Sequence, residues 1–385
     1  MVGDQKQSSG LEIKMGSDFF EFFVNFTKIF VILFSMIALV PLLVWAERRV
    51  SALMQNRLGP NRYGPFGLMQ ILADLVKPLM KEDFAKTEKK FFYYLAPILA
   101  VVPPAVVFGS IPFSAPFDIP AFELFGFDLG PYTFYFQAFH LNTAVVFALG
   151  VSSLASYSML VAGWSSESKY PLLGALRAAA QNISYELALS LALVGVLLLF
   201  NSLDFLEIIE KQSKPLSFSL LGKDFVISFL PNWGVFYQPL GALIFFTALV
   251  AECNRIPFDL PEAEAELVAG YHTEYGGIKL ILFYIGEYAH MMVASALMIV
   301  FYFGGFDPYP FSQESLLSFL GSELRLSLVL FFVFLLKFFL FLFLFMWIRW
   351  SLPRFRYDQL MDLGWKSLLP WALFNTIITA LFIFL

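Results

Sequence analysis

The stretch Arg325–Trp350 reads RLSLVLFFVFLLKFFLFLFLFMWIRW and decides the fold class. An apolar run of this length suits the hydrocarbon core of a bilayer, which is about 30 Å thick and needs roughly 20 helical residues. Of the 385 residues, 59% are hydrophobic and only 14% are charged. This composition excludes a soluble domain and predicts an all-α, polytopic membrane protein.

Seven further apolar runs predict a bundle of about eight transmembrane helices, forming a single integral membrane domain over residues 1–385. The fifth run is the weakest, because Pro239 and Glu252 shorten its apolar part. The first run is long enough to be a permanent span instead of a cleaved signal peptide. The predicted spans are residues 20–45, 93–113, 138–163, 178–200, 236–254, 278–303, 325–350 and 366–385.

Lysine and arginine are unevenly distributed among the connecting loops. Loop 47–92 holds nine of them and loop 349–366 holds four, whereas loops 114–137 and 304–324 hold none. Basic loops stay in the cytoplasm. We therefore predict a multi-pass protein of the cell membrane with both termini on the outer, periplasmic side. The loop 252–277 then lies on the cytoplasmic side.

Residues 66–83 are predicted to form an amphipathic helix in the membrane interface instead of a further span. Leucines recur there at spacings of four, three and four, and polar residues repeat this spacing on the other side of the helix. We expect Pro78 to kink this helix. The two faces consist of Leu68, Leu72, Leu75 and Leu79, and of Gln70, Asp74, Lys77 and Lys81.

The residue inventory restricts the possible cofactors. A single cysteine, Cys253, excludes a disulfide, an iron–sulfur cluster and a thiolate zinc site within the chain. Three scattered histidines do not make a metal-binding set, and no glycine-rich nucleotide motif is present. We therefore expect no metal site and no redox cofactor in this chain.

The loop after the fifth predicted span, Ala251–Tyr275, is unusually acidic and contains one cation, Arg255. Carboxylates crowded near a low dielectric repel each other and gain proton affinity, so they can take up and release protons. Pro257 and Pro261 predict irregular backbone, which is tolerated at membrane depth only when buried or lining a cavity. An ordinary solvated loop is the alternative. The acids are Glu252, Asp259, Glu262, Glu264, Glu266 and Glu274.

Two carboxylates fall inside predicted spans, Glu186 in the fourth and Glu287 in the sixth. A charge there costs about 2.5–3.5 kcal/mol on insertion scales, so both acids should face the bundle interior. We favour a proton or ion path for both. The alternatives are helix-packing hydrogen bonds, or a structural pair of Glu287 with His290. The residues Arg177, Gln181, Asn182, Ser184 and Tyr185 make the surroundings of Glu186 polar.

Charged residues also close the first predicted span, at Glu47, Arg48 and Arg49. Two arginines alone would serve as a positive-inside anchor. Composition alone favours this anchor, and the alternative is that Glu47, which orientation does not require, points into a cavity with one arginine. Asp74 is either a surface acid, solvated or paired with lysine, or it faces a polar headgroup at the membrane surface.

Three motifs in order resemble those of one family, the membrane subunit of respiratory complex I that is designated H in bacteria and 1 in mitochondria. The resemblance extends over about residues 45–365. Glu167 and Pro171 depart from the family pattern, which has Asn and Ala there. The motifs are GPNRYGPFGLMQILADLVKPLMKED at 59–83, GALRAAAQNISYE at 174–186 and AECNRIPFDLPEAEAELVAGYHTEY at 251–275.

The resemblance implies the membrane part of a quinone chamber in a proton-translocating NADH:quinone oxidoreductase, with quinone as substrate. NADH, FMN and iron–sulfur clusters are then bound only by partner subunits. Matching positions imply a quinone path along Glu47, Arg48, Asp74, Glu252 and Arg255. They also imply a coupling path to the proton-pumping subunits through Glu186, Glu262, Glu264, Glu266, Glu274 and Glu287.

The same resemblance implies as partners the hydrophilic quinone-module subunits, adjacent small membrane subunits and the lipid bilayer, and no nucleic acid. Related membrane-bound hydrogenases and ferredoxin or F420 oxidoreductases carry a similar subunit and are the first alternative. A cation/proton antiporter is less favoured, because Lys337 is the only lysine in the middle of a predicted span. A purely structural anchor would leave the buried carboxylates unexplained.

Overall fold

The computed structural model describes residues 2–82, 87–120, 122–124, 127–129, 132–220, 223–261 and 267–384. Its helices are α1 (Val2–Met54), α2 (Gln70–Leu79), α3 (Lys90–Ser110), α4 (Ala144–Ser165), α5 (Lys169–Phe200), α6 (Phe205–Gln212), α7 (Gly234–Tyr237), α8 (Pro239–Glu252), α9 (Gly277–Tyr302), α10 (Gln313–Leu320), α11 (Glu323–Ser351), α12 (Tyr357–Asp362) and α13 (Leu369–Phe384). A π-helical turn, Leu363–Leu368, joins the last two.

The all-α membrane class is confirmed. Within the described ranges, seven helical stretches are long and apolar enough to cross a bilayer. The fifth predicted span corresponds instead to α8, whose 14 residues extend about 21 Å at 1.5 Å per residue. This is shorter than the hydrocarbon core. The single-turn α7 precedes α8, so the division into eight spans stays a prediction.

Three antiparallel strand pairs lie in the loops, where the sequence analysis predicts no strand. Strand β1 (Phe117–Ile119) pairs with β4 (Tyr132–Phe134), β2 (Phe122–Leu124) with β3 (Phe127–Leu129), and β5 (Pro215–Leu220) with β6 (Lys223–Pro231). Phe117 lies opposite Phe134 in the first pair. The aromatic content of these loops suits β-structure as well as it suits a membrane helix.

Two helices extend beyond their predicted spans toward the acidic loop. Helix α1 continues to Met54, so Glu47, Arg48 and Arg49 belong to its last turns. Helix α5 begins at Lys169, so the polar residues around Glu186 lie well inside it. Both extensions place charged side chains on rigid backbone near the predicted site.

The predicted interfacial helix is shorter than expected. A 3₁₀ turn, Pro65–Gly67, precedes α2, which ends at Leu79. Pro78 therefore falls in the last turn and the predicted kink is wrong, because no helix continues over residues 80–82. The side chains of Leu72 and Leu79 are exposed. This exposure suits contact with lipid.

Helix α9 lies at the centre of the bundle, and nearly all of its residues from Tyr288 to Tyr302 are buried. Helices α3, α5, α8 and α11 pack around it, and α4 packs between α3 and α5. Small residues allow close approach of the backbones, as expected between membrane helices. A Cβ added at Gly286 would lie 2.6 Å from the carbonyl oxygen of Ala100.

A matched pair of glycines on α4 tests this packing. A Cβ at Gly163 would lie 2.4 Å from the Cβ of Ala175, whereas a Cβ at Gly150 would meet nothing within 4 Å. We expect Gly163→Ala to destabilise the protein by about 1–3 kcal/mol through overpacking. Gly150→Ala should be neutral or slightly stabilising. Thermal denaturation of the purified assembly measures both, and equal midpoints for the two variants would contradict the packing.

Candidate functional site

Glu47 is the centre of the most elaborate polar cluster. Its side chain is only 4% exposed. Arg255 Nη1 donates to Oε2 at 2.9 Å, and the Tyr288 hydroxyl donates to the same oxygen at 2.6 Å. Arg349 Nη1 donates to Oε1. We call Glu47, Arg255, Tyr288 and Arg349 the Glu47 cluster.

The Glu47 cluster joins four segments that are distant in the chain. Glu47 comes from α1, Arg255 from the loop after α8, Tyr288 from α9 and Arg349 from the last turn of α11. One carboxylate facing two guanidinium groups leaves an excess of positive charge. A buried carboxylate needs such partners, because desolvation penalises its ionised form.

Arg255 is buried almost completely and stacks on a ring. Its guanidinium carbon lies 4.0 Å from the ring centroid of Tyr288. Burial lowers the pKa of Arg255, but the oxygen atoms of Tyr288 and Glu47 outweigh this and hold its pKa above the usual value. Its buried Nε has no hydrogen-bond partner among the described residues. The cluster therefore presents a free donor.

Arg48 does not join the Glu47 cluster and contacts Asp74 on α2 instead. The Arg48 side chain is 49% exposed and that of Asp74 is 33% exposed. Gln70 Nε2 donates to Oδ1 of Asp74 at 3.0 Å. The sequence predicts a lysine or a membrane headgroup as the partner of Asp74, and an arginine of α1 takes this place in the structure. An ion pair this exposed adds little stability.

Arg49 anchors the loop that connects α1 to α2. Its Nη1 donates to the backbone oxygens of Pro60 and Phe66, at 3.1 and 3.3 Å. Gly67 adopts φ +78°, and a Cβ there would lie 2.3 Å from the Pro60 oxygen. This glycine is therefore required by backbone conformation and by close approach. The loop thus fixes α2 beside the end of α1.

A second group of acids surrounds a small cavity of about 20 Å³, room for roughly one water molecule. Glu252, Glu287 and His290 line this cavity. The Tyr271 hydroxyl donates to Oε1 of Glu287 at 3.3 Å. Glu186 on α5 lies close enough to Glu252 for a direct electrostatic interaction. Three of the acids proposed for the coupling and quinone paths are thus neighbours.

Gln181 holds the acidic loop against α5. Its Nε2 donates to the backbone oxygens of Ala251 and Phe258, each at 2.8 Å. The Tyr185 hydroxyl donates to the backbone oxygen of Leu360 at 2.9 Å. Gln181 and Tyr185 therefore make hydrogen bonds that pack α5 against its neighbours, which is the alternative to a proton or ion path. Glu186 lies beside them, half-buried.

Of the remaining acids in the predicted coupling path, one lies among the described residues and three do not. Glu274 is half-buried, and its backbone oxygen accepts a hydrogen bond from the Tyr93 hydroxyl at 2.6 Å. Burial raises the pKa of the adjacent Tyr275. Glu262, Glu264 and Glu266 lie outside the described residues, so their predicted role stays a prediction.

Three contributors to the site are not predictable from the sequence: Arg349, Tyr288 and Tyr271. Arg349 sits in the last turn of a membrane helix, where an arginine resembles an interfacial anchor. The two tyrosines carry no local pattern that separates them from the rest of the 16 tyrosines in the chain. Within the described ranges, no three His, Cys, Asp and Glu side chains are placed to hold a metal ion.

Comparisons with known proteins agree over nearly the whole chain. The family described as NADH dehydrogenase matches residues 27–380. The H subunit of NADH-quinone oxidoreductase from Bdellovibrio bacteriovorus is 55% identical over 380 residues, 96% of this chain and 99% of that protein. The H subunit from Salinibacter ruber is 42% identical, with 91% and 94% covered. NADH-quinone oxidoreductase subunit 8 of Rhodothermus marinus is 42% identical, with 91% and 95% covered.

Proposed function

The chain belongs to the family of the H subunit of NADH-quinone oxidoreductase, a membrane component of complex I, and from this premise we propose that the Glu47 cluster borders the quinone path. The observation that carries the proposal is the burial of Glu47 between two arginines and a tyrosine. A quinone needs an apolar corridor for its tail and polar groups near its carbonyl oxygens.

The chemistry of quinone reduction suits the cluster. A quinone carbonyl accepts hydrogen bonds, and two-electron reduction places negative charge on its oxygens until two protons arrive. Arg255 and Arg349 supply positive charge, and the buried Nε of Arg255 supplies a free donor. NADH, FMN and the iron–sulfur clusters belong to the hydrophilic partner subunits in this proposal.

The opening toward the bilayer is assigned to the space between α1 and α2. Arg48 and Asp74 bridge these helices close to Glu47 along the chain. The exposed leucines of α2 provide the apolar surface that an isoprenoid tail would cross. Arg255 comes three positions after Glu252, the last residue of α8. These two residues therefore connect this path to the small cavity.

Coupling to proton translocation is assigned to the acids around the small cavity and to the loop carboxylates. Glu287 is close enough to Arg255 for an electrostatic interaction, and Glu186 is close enough to Glu252. A change of charge on the quinone would therefore reach these acids through Arg255. From the family resemblance, we add Glu262, Glu264, Glu266 and Glu274 to this coupling path.

The Asp74 pair gives the sharpest test of the quinone path. Asp74→Asn should slow quinone reduction about tenfold, the effect of losing one charged hydrogen bond. NADH oxidation by an artificial acceptor should persist, because electrons reach it through partner subunits. Asp358→Asn, the same change at an exposed position of α12, is the control. Loss of both activities would indicate failed assembly, and unchanged quinone reduction would exclude Asp74 from the path.

The acids of the small cavity test coupling. Glu287→Gln should reduce proton translocation by about 100-fold, the low end of the range for a positioned proton-transferring group. Glu88→Gln, at an exposed residue outside the cavity, should pump normally. Proton uptake by vesicles containing equal amounts of assembled enzyme is the measurement. Wild-type pumping by the Glu287 variant would remove this acid from the pathway.

The proposed sidedness places both termini outside and the Glu47 cluster near the cytoplasmic surface. Cys253 is the only cysteine and is buried, so an introduced thiol can be labelled without background. We expect Glu314→Cys, exposed on α10, to react with an impermeant maleimide in intact spheroplasts. Asp358→Cys should react only after permeabilisation. The reverse pattern would invert the orientation.

A further inference from the structure

The stretch of α1 from residue 23 to residue 39 lines an apolar groove of about 760 Å³. Helices α3 and α11 and the segment after β4 complete its walls. Lys28, which lines the groove, precedes Glu47 by 19 positions, or about 28 Å at 1.5 Å per residue. The charged end of the groove is therefore far from the proposed quinone path. Representative lining residues are Val31, Met36, Phe108, Phe136, Phe331 and Phe338.

One polar side chain in the wall lacks a partner. Gln137 is 2% exposed and lines the groove. Its Nε2 has no hydrogen-bond partner among the described residues. A buried donor is normally satisfied, so an unsatisfied one requires an explanation such as a missing ligand. The ligand should present an oxygen acceptor at the depth of Gln137.

A second polar side chain supplies charge. Lys28 is half-buried, and its Nζ donates to the Tyr132 hydroxyl at 3.1 Å. The ammonium also lies 5.2 Å from the ring centroid of Phe134. Glu21, two helical turns earlier, acts on Lys28 only from a distance. In the described part of the chain, no carboxylate lies within ion-pair distance of Lys28.

We propose that this groove binds one anionic phospholipid. Its acyl chain lies along the aromatic and aliphatic wall, its phosphate pairs with Lys28, and an ester carbonyl oxygen accepts from Gln137 Nε2. The apolar wall, the ammonium group of Lys28 and the amide group of Gln137 are thus each matched by one part of the same lipid molecule. The proposed orientation places this lipid in the outer leaflet.

Other apolar occupants fit less well. A carbonyl of a partner subunit's transmembrane helix has a second lone pair for Gln137, so the charge at Lys28 is what separates this occupant from an anionic lipid. The lipid-compatible side chains of such a helix bring no negative charge to Lys28. A neutral quinone has acceptors but lacks the charge. Phosphatidylcholine has a phosphate, but its own choline cation compensates that charge.

Photolabelling of the wild-type assembled enzyme tests the site directly. The enzyme is reconstituted in nanodiscs containing phosphatidylglycerol with a diazirine on its acyl chain, and labelled peptides are mapped by mass spectrometry. We expect labelling of peptides from α1 and α11, which excess unlabelled phosphatidylglycerol suppresses and phosphatidylcholine does not. Equal suppression by both lipids would overturn the proposal. A cross-link from a photoreactive residue at Phe331 to a partner subunit would also overturn it.

Variants separate charge from shape. Lys28→Gln should reduce phosphatidylglycerol labelling about tenfold, as expected for loss of one charged hydrogen bond. Lys28→Arg should retain labelling, and Lys214→Gln, at an exposed lysine on the same proposed side, should have no effect. Gln137→Leu should weaken labelling without changing its charge preference. Unchanged labelling of the Lys28→Gln enzyme would contradict the site, and the wild-type competition decides the matter if a variant fails to assemble.

Discussion

A carboxylate removed from water must be met by positive charge, and Glu47 is the case on which the rest of this structure depends. Arg255 is 208 positions away in the chain and Arg349 is 302 away. Removing one member of a buried ion pair costs about 3–5 kcal/mol. The ends of α1 and α11, the middle of α9 and the acidic loop are therefore held together by one electrostatic requirement. The same requirement concentrates donors where a quinone oxygen could approach.

The fold class was predictable because bilayer thickness fixes the length of an apolar run. The helix ends were not, because a helix can continue into water once it leaves the hydrocarbon core. Helix α1 continues through Glu47 to Met54, and α5 begins at Lys169, nine residues before its predicted start. The pairing of β1 with β4 was not predictable, since the apolar–polar–apolar alternation of each strand extends over only three residues. Composition alone does not give the position of a helix end or distinguish a short strand from a loop.

The residues of the site were easier to predict than their pairing. Charges in an apolar chain are few, so Glu47, Asp74 and Arg255 were identifiable from the free-energy cost of placing a charge beside a membrane. The sequence suggests that Glu47 and one neighbouring arginine point into a cavity, but Arg48 contacts Asp74 on α2. Arg349 becomes a partner only through the packing of α11 on α1. Contacts across hundreds of positions depend on tertiary packing, which a single sequence does not display.

The charge of Lys337, in the apolar stretch of α11, is also met by groups of opposite polarity. Lys337 Nζ donates to the backbone oxygens of Phe303, Gly305 and Asp307, at 2.9, 3.0 and 2.9 Å. These carbonyls follow the end of α9, where helical partners are missing. A cation is favourable at that end of a helix. Lys337 therefore fastens α11 to the segment that follows α9.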